Sequence, residues 1–286
     1  AYRVEDGALL GSLLLSQNAA ERNKATGARA VDLDLDGNHD LAYVADLQGH
    51  LWRLEFGASA NPASWDVSSL WQNAAYEITA MPTPAHGEGG SVHVYFGTGA
   101  YLETDDILTT NQNLFGCVFD RHDGAENATL VDQTSTIHDV SDADGWYVRL
   151  THASGERVTE PAVVVAGTVL FTSFRPSQDL CTAGGESWLW RMDYTDGSVP
   201  DDGEDDEWGG ERSMDLGEGI ASQAVVDVVN ETVIVQSSDA SITVEEIGQN
   251  KTTFHLIMFP LYPLFPPGAK EHSLLKNMLW KSATDV

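Results

Sequence analysis

A six-residue pattern written twice constrains this chain more than any other feature. Leu51-Trp52-Arg53-Leu54-Glu55-Phe56 returns as Leu189-Trp190-Arg191-Met192-Asp193-Tyr194, in the order Leu, Trp, Arg, apolar, acid, aromatic. Both copies follow a strand-like run and a Gly-containing loop, and both precede a Gly-bearing turn. Gly116-Cys117-Val118-Phe119-Asp120 is a weaker copy between them, with the same apolar-aromatic-acid ending. Six positions matching in class argue for a repeated unit. The copies lie 138 residues apart, roughly three units at about 40–50 residues per propeller blade. Radially arranged four-stranded blades also account for many short strands joined by turns. The expectation is an all-β fold, a modified and incomplete β-propeller. A β-sandwich is the alternative that the same strands allow.

The rest of the body agrees. Val92-His93-Val94-Tyr95-Phe96, Val163-Val164-Val165 and Val169-Leu170-Phe171-Thr172 are β-branched and aromatic runs beside glycines. Val225-Val226-Asp227-Val228-Val229 is followed across Asn230-Glu231 by Thr232-Val233-Ile234-Val235, a hairpin-like spacing. Residues 8–20 are the one helical candidate, weakened by Gly11.

Charge divides the chain. Residues 1–250 hold 42 acids and 11 bases; residues 251–286 hold four of the five lysines against two acids, and four of the ten prolines. We place a boundary there: a propeller over 1–250 and a divergent Pro/Lys-rich tail over 251–286. The apolar stretch 256–265 is too short and too broken by proline to be a transmembrane helix or an interior strand. A net charge of −29 opposes binding to nucleic acid or to an anionic membrane surface. It suits a saline habitat or additional weak calcium binding. The acidic run 201–207 repels itself and is expected to stay solvated. The chain opens Ala1-Tyr2-Arg3 without a basic or apolar leader run, and reads as a fragment or a processed chain.

The most specific local motif is Asp32-Leu33-Asp34-Leu35-Asp36-Gly37-Asn38-His39-Asp40. Carboxylates occupy positions 1, 3, 5 and 9; positions 1, 3 and 5 of such a loop point toward one centre, Gly at position 6 allows the sharp turn, and the Asn38 carbonyl at position 7 adds an oxygen. Hard oxygen donors in a flexible loop suit Ca²⁺ better than Mg²⁺, which demands strict octahedral geometry. The metal ligands expected are Asp32, Asp34, Asp36, Asn38 and Asp40. Leu33 and Leu35 are expected to seat the loop on the core. Position 12 is Tyr43, so this is not an EF-hand; the loop runs directly into the strand Leu41-Ala42-Tyr43-Val44. Asp139, Asp142 and Asp144 lack the loop glycine and read as a solvated turn.

Catalytic signatures are missing from the sequence: no G-x-S-x-G elbow, no H-E-x-x-H, no G-x-x-x-x-G-K-[ST]. His86 and His93 have no neighbours at ligand spacing, and Gly97-Thr98-Gly99 is followed by no helix pattern. Cys117 and Cys181 are compatible with free thiols or with a disulfide.

The calcium loop running into Tyr43-Val44-Ala45-Asp46-Leu47-Gln48-Gly49-His50-Leu51-Trp52-Arg53 resembles the C-terminal domain of the PilY family, tip-associated biogenesis factors and adhesins of bacterial type IV pili. So do Val94-Tyr95-Phe96-Gly97-Thr98-Gly99-Ala100-Tyr101-Leu102-Glu103 and Gly145-Trp146-Tyr147-Val148-Arg149-Leu150 leading to Gly155-Glu156-Arg157-Val158. Phe171-Thr172-Ser173-Phe174-Arg175-Pro176, then Cys181-Thr182-Ala183-Gly184-Gly185-Glu186-Ser187-Trp188-Leu189, complete the set. The resemblance implies a modified β-propeller with one calcium site, ligands on Asp32, Asp34, Asp36, Asp40 and the Asn38 carbonyl, and no enzymatic activity. It implies a place at the cell surface or pilus tip, reached through the periplasm and outer membrane. Its implied partners are type IV pilins or minor pilins, and host or abiotic surfaces. Its implied roles are pilus assembly, control of extension and retraction, twitching motility and adhesion. The chain departs from the family around Gly116-Cys117-Val118 and after residue 250, and it begins late. Two other readings stay open: a quinoprotein-like propeller dehydrogenase fragment using pyrroloquinoline quinone, on Trp52 and Trp190, and a sugar-binding adhesin module.

Overall fold

The computed structural model describes residues 3, 5–15, 23–57, 61–177, 179, 184–200, 208 and 210–246. The acidic run 201–207, Cys181 and the 251–286 tail lie outside the described residues. Among the described residues sixteen strands form four sheets. The first is an antiparallel meander of β1 (Ala25–Val31), β2 (Leu41–Asp46), β3 (His50–Glu55) and β4 (Asp66–Gln72). The second joins β5 (Thr83–His86), β6 (Val92–Gly97), β7 (Leu114–Asp120), β8 (Val131–Asp132) and β9 (Gly145–Arg149) in the order β5-β6-β7-β9-β8. The third is β10 (Val163–Val165), β11 (Thr168–Pro176), β12 (Gly185–Asp193) and β13 (Ser213–Glu218). The fourth has three strands, β14 (Val225–Asp227), β15 (Thr232–Gln236) and β16 (Ile242–Glu246).

The sheets stack face against face in chain order, because strand alternation gives the inner sheets two apolar faces. Val92, Val94 and Phe96 on β6 join Tyr43, Leu51 and Trp71 in a core between the first and second sheets. Tyr95, Phe115, Cys117 and Trp146 from the second sheet join Phe171, Trp188 and Trp190 from the third. Phe115 and Phe171 stack across that junction with ring centroids 3.7 Å apart. Leu170 and Leu189 join Val233 and Val235 between the third and fourth. Successive sheets packed in this way, antiparallel except for the parallel β8–β9 pair and none closed on itself, are propeller blades. Cys117 is a buried free thiol in the second core.

Each copy of the repeated pattern occupies the third strand of its blade: β3, β7 and β12. This explains the echo, since equivalent strands meet equivalent neighbours. Even a register irregularity recurs, at Leu51/Trp52 against β4 and at Ser187/Trp188 against β13. The copies stand two blades apart, not three. The second blade is enlarged by the connections between β6 and β7 and between β7 and β9, so a fixed repeat length overcounts.

Other expectations meet corrections. Residues 8–15 form no helix, and Leu9 and Leu14 are exposed; residues 16–20 lie outside the described set. Among the described residues the helical turns are three short 3₁₀ segments. The run Val225–Val229 is strand only to Asp227. The Asp227 carboxylate accepts the N–H groups of Val229 and Asn230 and turns the chain. The hairpin onto β15 is otherwise as expected, with Asp227 opposite Thr232. Gly97-Thr98-Gly99 is a packing element: a Cβ on Gly97 would stand 2.3 Å from Val158.

Candidate metal centre

The loop Asp32–Asp40 connects β1 to β2. Its ends are pinned by strand hydrogen bonds, Asp40 N–H to the Val31 carbonyl and Phe56 N–H to the Asp40 carbonyl, at 2.9 and 2.8 Å. Inside it the carboxylates hold the backbone. Asp32 Oδ2 accepts Gly37 N–H at 2.8 Å and Asp32 Oδ1 accepts Asp36 N–H at 3.2 Å. Asp40 Oδ2 accepts Leu33 N–H at 2.6 Å. The turn requires left-handed backbone at Gly37 (φ 93°) and at Leu35 (φ 60°). Glycine takes this without penalty, whereas leucine does so at a cost.

These constraints bring Asp32, Asp34 and Asp40 together: one oxygen of each lies within 4.8 Å of the others. Calcium–oxygen distances of about 2.3–2.6 Å place two oxygens on one ion up to about 5 Å apart. The three carboxylates therefore fit a single calcium ion. Asp32 is buried, Asp40 half-buried and Asp34 exposed, so the pocket opens on one side. Asp36 and Asn38 lie on the exposed rim, where Asp36 Oδ1 accepts the backbone and side-chain N–H groups of Asn38 at 2.7 and 3.0 Å. Leu33 packs against the first core. Leu35 does not: it is 68 % exposed, because its left-handed φ turns the side chain outward. Among the described residues no other trio of His, Cys, Asp or Glu converges in this way. Asp139 and Asp144 serve turns and ties instead, Asp139 accepting the Ser141 N–H and Asp144 the Thr129 N–H.

Several polar centres had no local signal. Asp120, at the end of β7, accepts Arg53 Nη1 at 2.7 Å and Tyr43 Oη at 2.8 Å, joining first and second blades through a buried ion pair. The partners are far apart in sequence, so only folding reveals them. Asp46 gathers Asn23, the His50 backbone and ring, and Trp52 Nε1. Burial opposes its charge, but these bonds hold its carboxyl below the usual range. Glu156, buried on both oxygens, accepts Ser173 Oγ at 2.5 Å and the His152 N–H at 2.9 Å. His152 Nε2 in turn reaches Ser213 Oγ at 2.9 Å, fastening the loop after β9 to β13. Trp190 Nε1 donates to Ser173 Oγ at 2.8 Å. Both echo tryptophans, Trp52 and Trp190, thus spend their indole N–H groups on structural partners.

Residues 2–140, which include the whole Asp32–Asp40 loop, match the family model described as the PilY1 beta-propeller domain. Type IV pilus biogenesis factor PilY1 of Pseudomonas aeruginosa strain PAO1 is 26% identical over 261 residues, covering 68% of this chain and 22% of that protein. A PilY1 homolog of Xylella fastidiosa is 26% identical over 205 residues, covering 59% of this chain and 14% of that protein. Residues 2–140 of this chain belong to the PilY propeller family. The crystal structure of the Pseudomonas aeruginosa PilY1 C-terminal domain superposes with a TM-score of 0.64 at 21% identity, over 85% of this chain and 65% of that one. That superposition gives this chain the same all-β propeller fold. The chain spans about a fifth of the length of the PAO1 relative. Among the described residues no helix is long and apolar enough to cross a membrane.

Proposed function

We propose that this domain is a non-enzymatic calcium-binding module of a type IV pilus biogenesis protein at the cell surface or pilus tip. The observation that carries the reading is the convergence of Asp32, Asp34 and Asp40 within 4.8 Å, in a loop that lies inside the family match. Asp32, Asp34 and Asp40 would hold the ion, with Asp36 and the Asn38 carbonyl completing the oxygen set. Bound calcium would supply the positive charge that three adjacent carboxylates lack. Because both loop ends are hydrogen-bonded into the first blade, occupancy would stiffen β1 and β2 and couple the ion to the blade that Asp120 ties to its neighbour.

Pilus assembly, control of extension and retraction, twitching motility and surface adhesion are the processes this module would serve, through pilins or minor pilins. Support comes from the names of its relatives, which are biogenesis factors. The structural roles of Trp52 and Trp190 favour this over a quinone-dependent dehydrogenase. Calorimetric titration with calcium tests the metal site. One site of about 10⁻⁴–10⁻³ M in the parent, lost in Asp40→Ala, is expected; no heat in the parent overturns it.

A further inference from the structure

Arg157 is 1% exposed and spends most of its guanidinium on one surface loop, the connection between β6 and β7. Nη1 donates to the carbonyls of Ala100 at 2.5 Å and Asp106 at 2.9 Å. Nη2 donates to the carbonyl and hydroxyl oxygens of Thr109 at 3.2 and 3.1 Å, and Nε to the Gly155 carbonyl at 2.9 Å. Burying a cation is costly, and here the buried cation fixes the loop at three points. Asp106 tightens it further, accepting the N–H groups of Leu102 and Glu103 at 2.6 and 2.8 Å ahead of the 3₁₀ turn Thr104–Leu108. Yet Tyr101, Leu102 and Leu108 on this loop are 37%, 63% and 60% exposed. A rigid backbone beneath exposed apolar side chains is what a pre-organised contact loop requires.

Ala100 and Thr109, at the ends of the loop, also line a cavity of about 530 Å³ with Gln48, His50, Glu77 and Asn111. Charge there has one sign. Among the described residues no Lys or Arg lines the cavity, and residues 97–113 hold Glu103, Asp105 and Asp106 with no base. Burial, then the charges of Asp106 and Glu103, raise the pKa of Glu77, so these acids share one neighbourhood. Arg175, on the loop's other flank, is taken up by Glu186 at 3.0 Å. His50 adds an acceptor. It is 8% exposed, and its Nδ1 lies 3.1 Å from the Asp46 carboxylate, which holds the proton on Nδ1 and leaves Nε2 a lone pair. Nε2 has no hydrogen-bond partner among the described residues and is reachable from the cavity.

We propose that loop 100–109 and this cavity dock a partner polypeptide through a lysine or arginine beside an apolar residue. The cationic head meets Glu77 and His50 Nε2, and the apolar neighbour packs on Leu102 and Leu108. The site is separate from the calcium loop: the β2–β3 turn, which carries Gln48, lies at the opposite end of β2 from Asp32–Asp40.

The test selects a phage-displayed random heptapeptide library on the full chain, in EDTA so that calcium plays no part. Counter-selection uses the Leu102→Ser, Leu108→Ser, Glu77→Gln variant, whose three positions are exposed. The selected peptides are expected to share a Lys or Arg next to an apolar residue. A synthetic copy of one should bind at least about tenfold more weakly to Glu77→Gln and to Leu102→Ser, and equally to the distant control Glu246→Gln. It should also move the ¹⁵N resonance of His50 Nε2. No selected peptide, peptides without a basic residue, equal binding to parent and triple variant, or an unmoved His50 resonance overturns the proposal. Self-association of the parent that the triple variant loses assigns the face to a second copy and overturns it as well.

Discussion

Asp40 Oδ2 accepts the backbone N–H of Leu33 at 2.6 Å, so the last carboxylate of the loop clasps its first turn. The same side chain belongs to the converging trio, and the two roles separate by substitution. Asp40→Ala is expected to lower stability without calcium by about 1 kcal/mol and to abolish the rise in melting temperature that calcium produces. Asp40→Asn keeps a hydrogen-bond acceptor and should lose chiefly the calcium response. Thermal unfolding with and without calcium reads both; an unchanged calcium shift in Asp40→Ala would remove Asp40 from the ligand set.

The Arg53–Asp120 pair is buried on both sides, with side-chain exposures of 7% and 2%. Asp120→Ala leaves the buried Arg53 guanidinium only the half-exposed Glu55 carboxylate, 3.1 Å away, and should cost about 3 kcal/mol, the low end for a broken buried pair, whereas Tyr43→Phe removes one hydrogen bond and should cost about 1 kcal/mol. Urea unfolding of the three proteins checks the ranking. Equal losses would mean that the ion pair does not anchor the first blade to the second.

His93 is buried against Phe119 and Tyr194. Burial, aided by nearby Arg121, lowers its pKa to about 4 despite a backbone contact from Tyr194 that favours the charged form. The unfolded chain, with an ordinary value of about 6.5, binds this proton more readily than the folded one. The stability contribution is therefore complete above about pH 6.5 and is lost as pH falls toward 4. His93→Leu should flatten that limb, so the stability gap between wild type and variant differs at pH 4.5 and pH 7.5. A gap constant with pH would contradict the assignment.

Ala166 and Gly167 form the two-residue turn between β10 and β11, both with positive φ, 48° and 81°. Such primed turns favour Asn-Gly. Gly167→Ala meets nothing closer than 3.9 Å, so its cost, about 1 kcal/mol, is purely conformational. Ala166→Asn should stabilise slightly. Denaturant midpoints of the two variants should move in opposite directions.

The sequence by itself determined the features written over a few consecutive residues. The β-branched and aromatic run Val92–Phe96 and the hairpin-like spacing across Asn230-Glu231 dictate strands and a hairpin, because backbone preference acts locally. The spacing Asp32-x-Asp34-x-Asp36-Gly37, ending at Asp40, dictates a tight acidic loop for the same reason, and the third-strand echo betrays a repeated unit. Tertiary structure alone decided how many blades separate the copies, since the insertions that enlarge the second blade carry no repeat signal. It decided that Leu33 packs and Leu35 does not, through one left-handed residue. It also decided that Arg53, besides its near neighbour Glu55, meets the buried carboxylate of Asp120, 67 residues away. Charges so far apart in the chain have no mutual preference until stacked sheets bury them together, where an unpaired ion is too costly to keep.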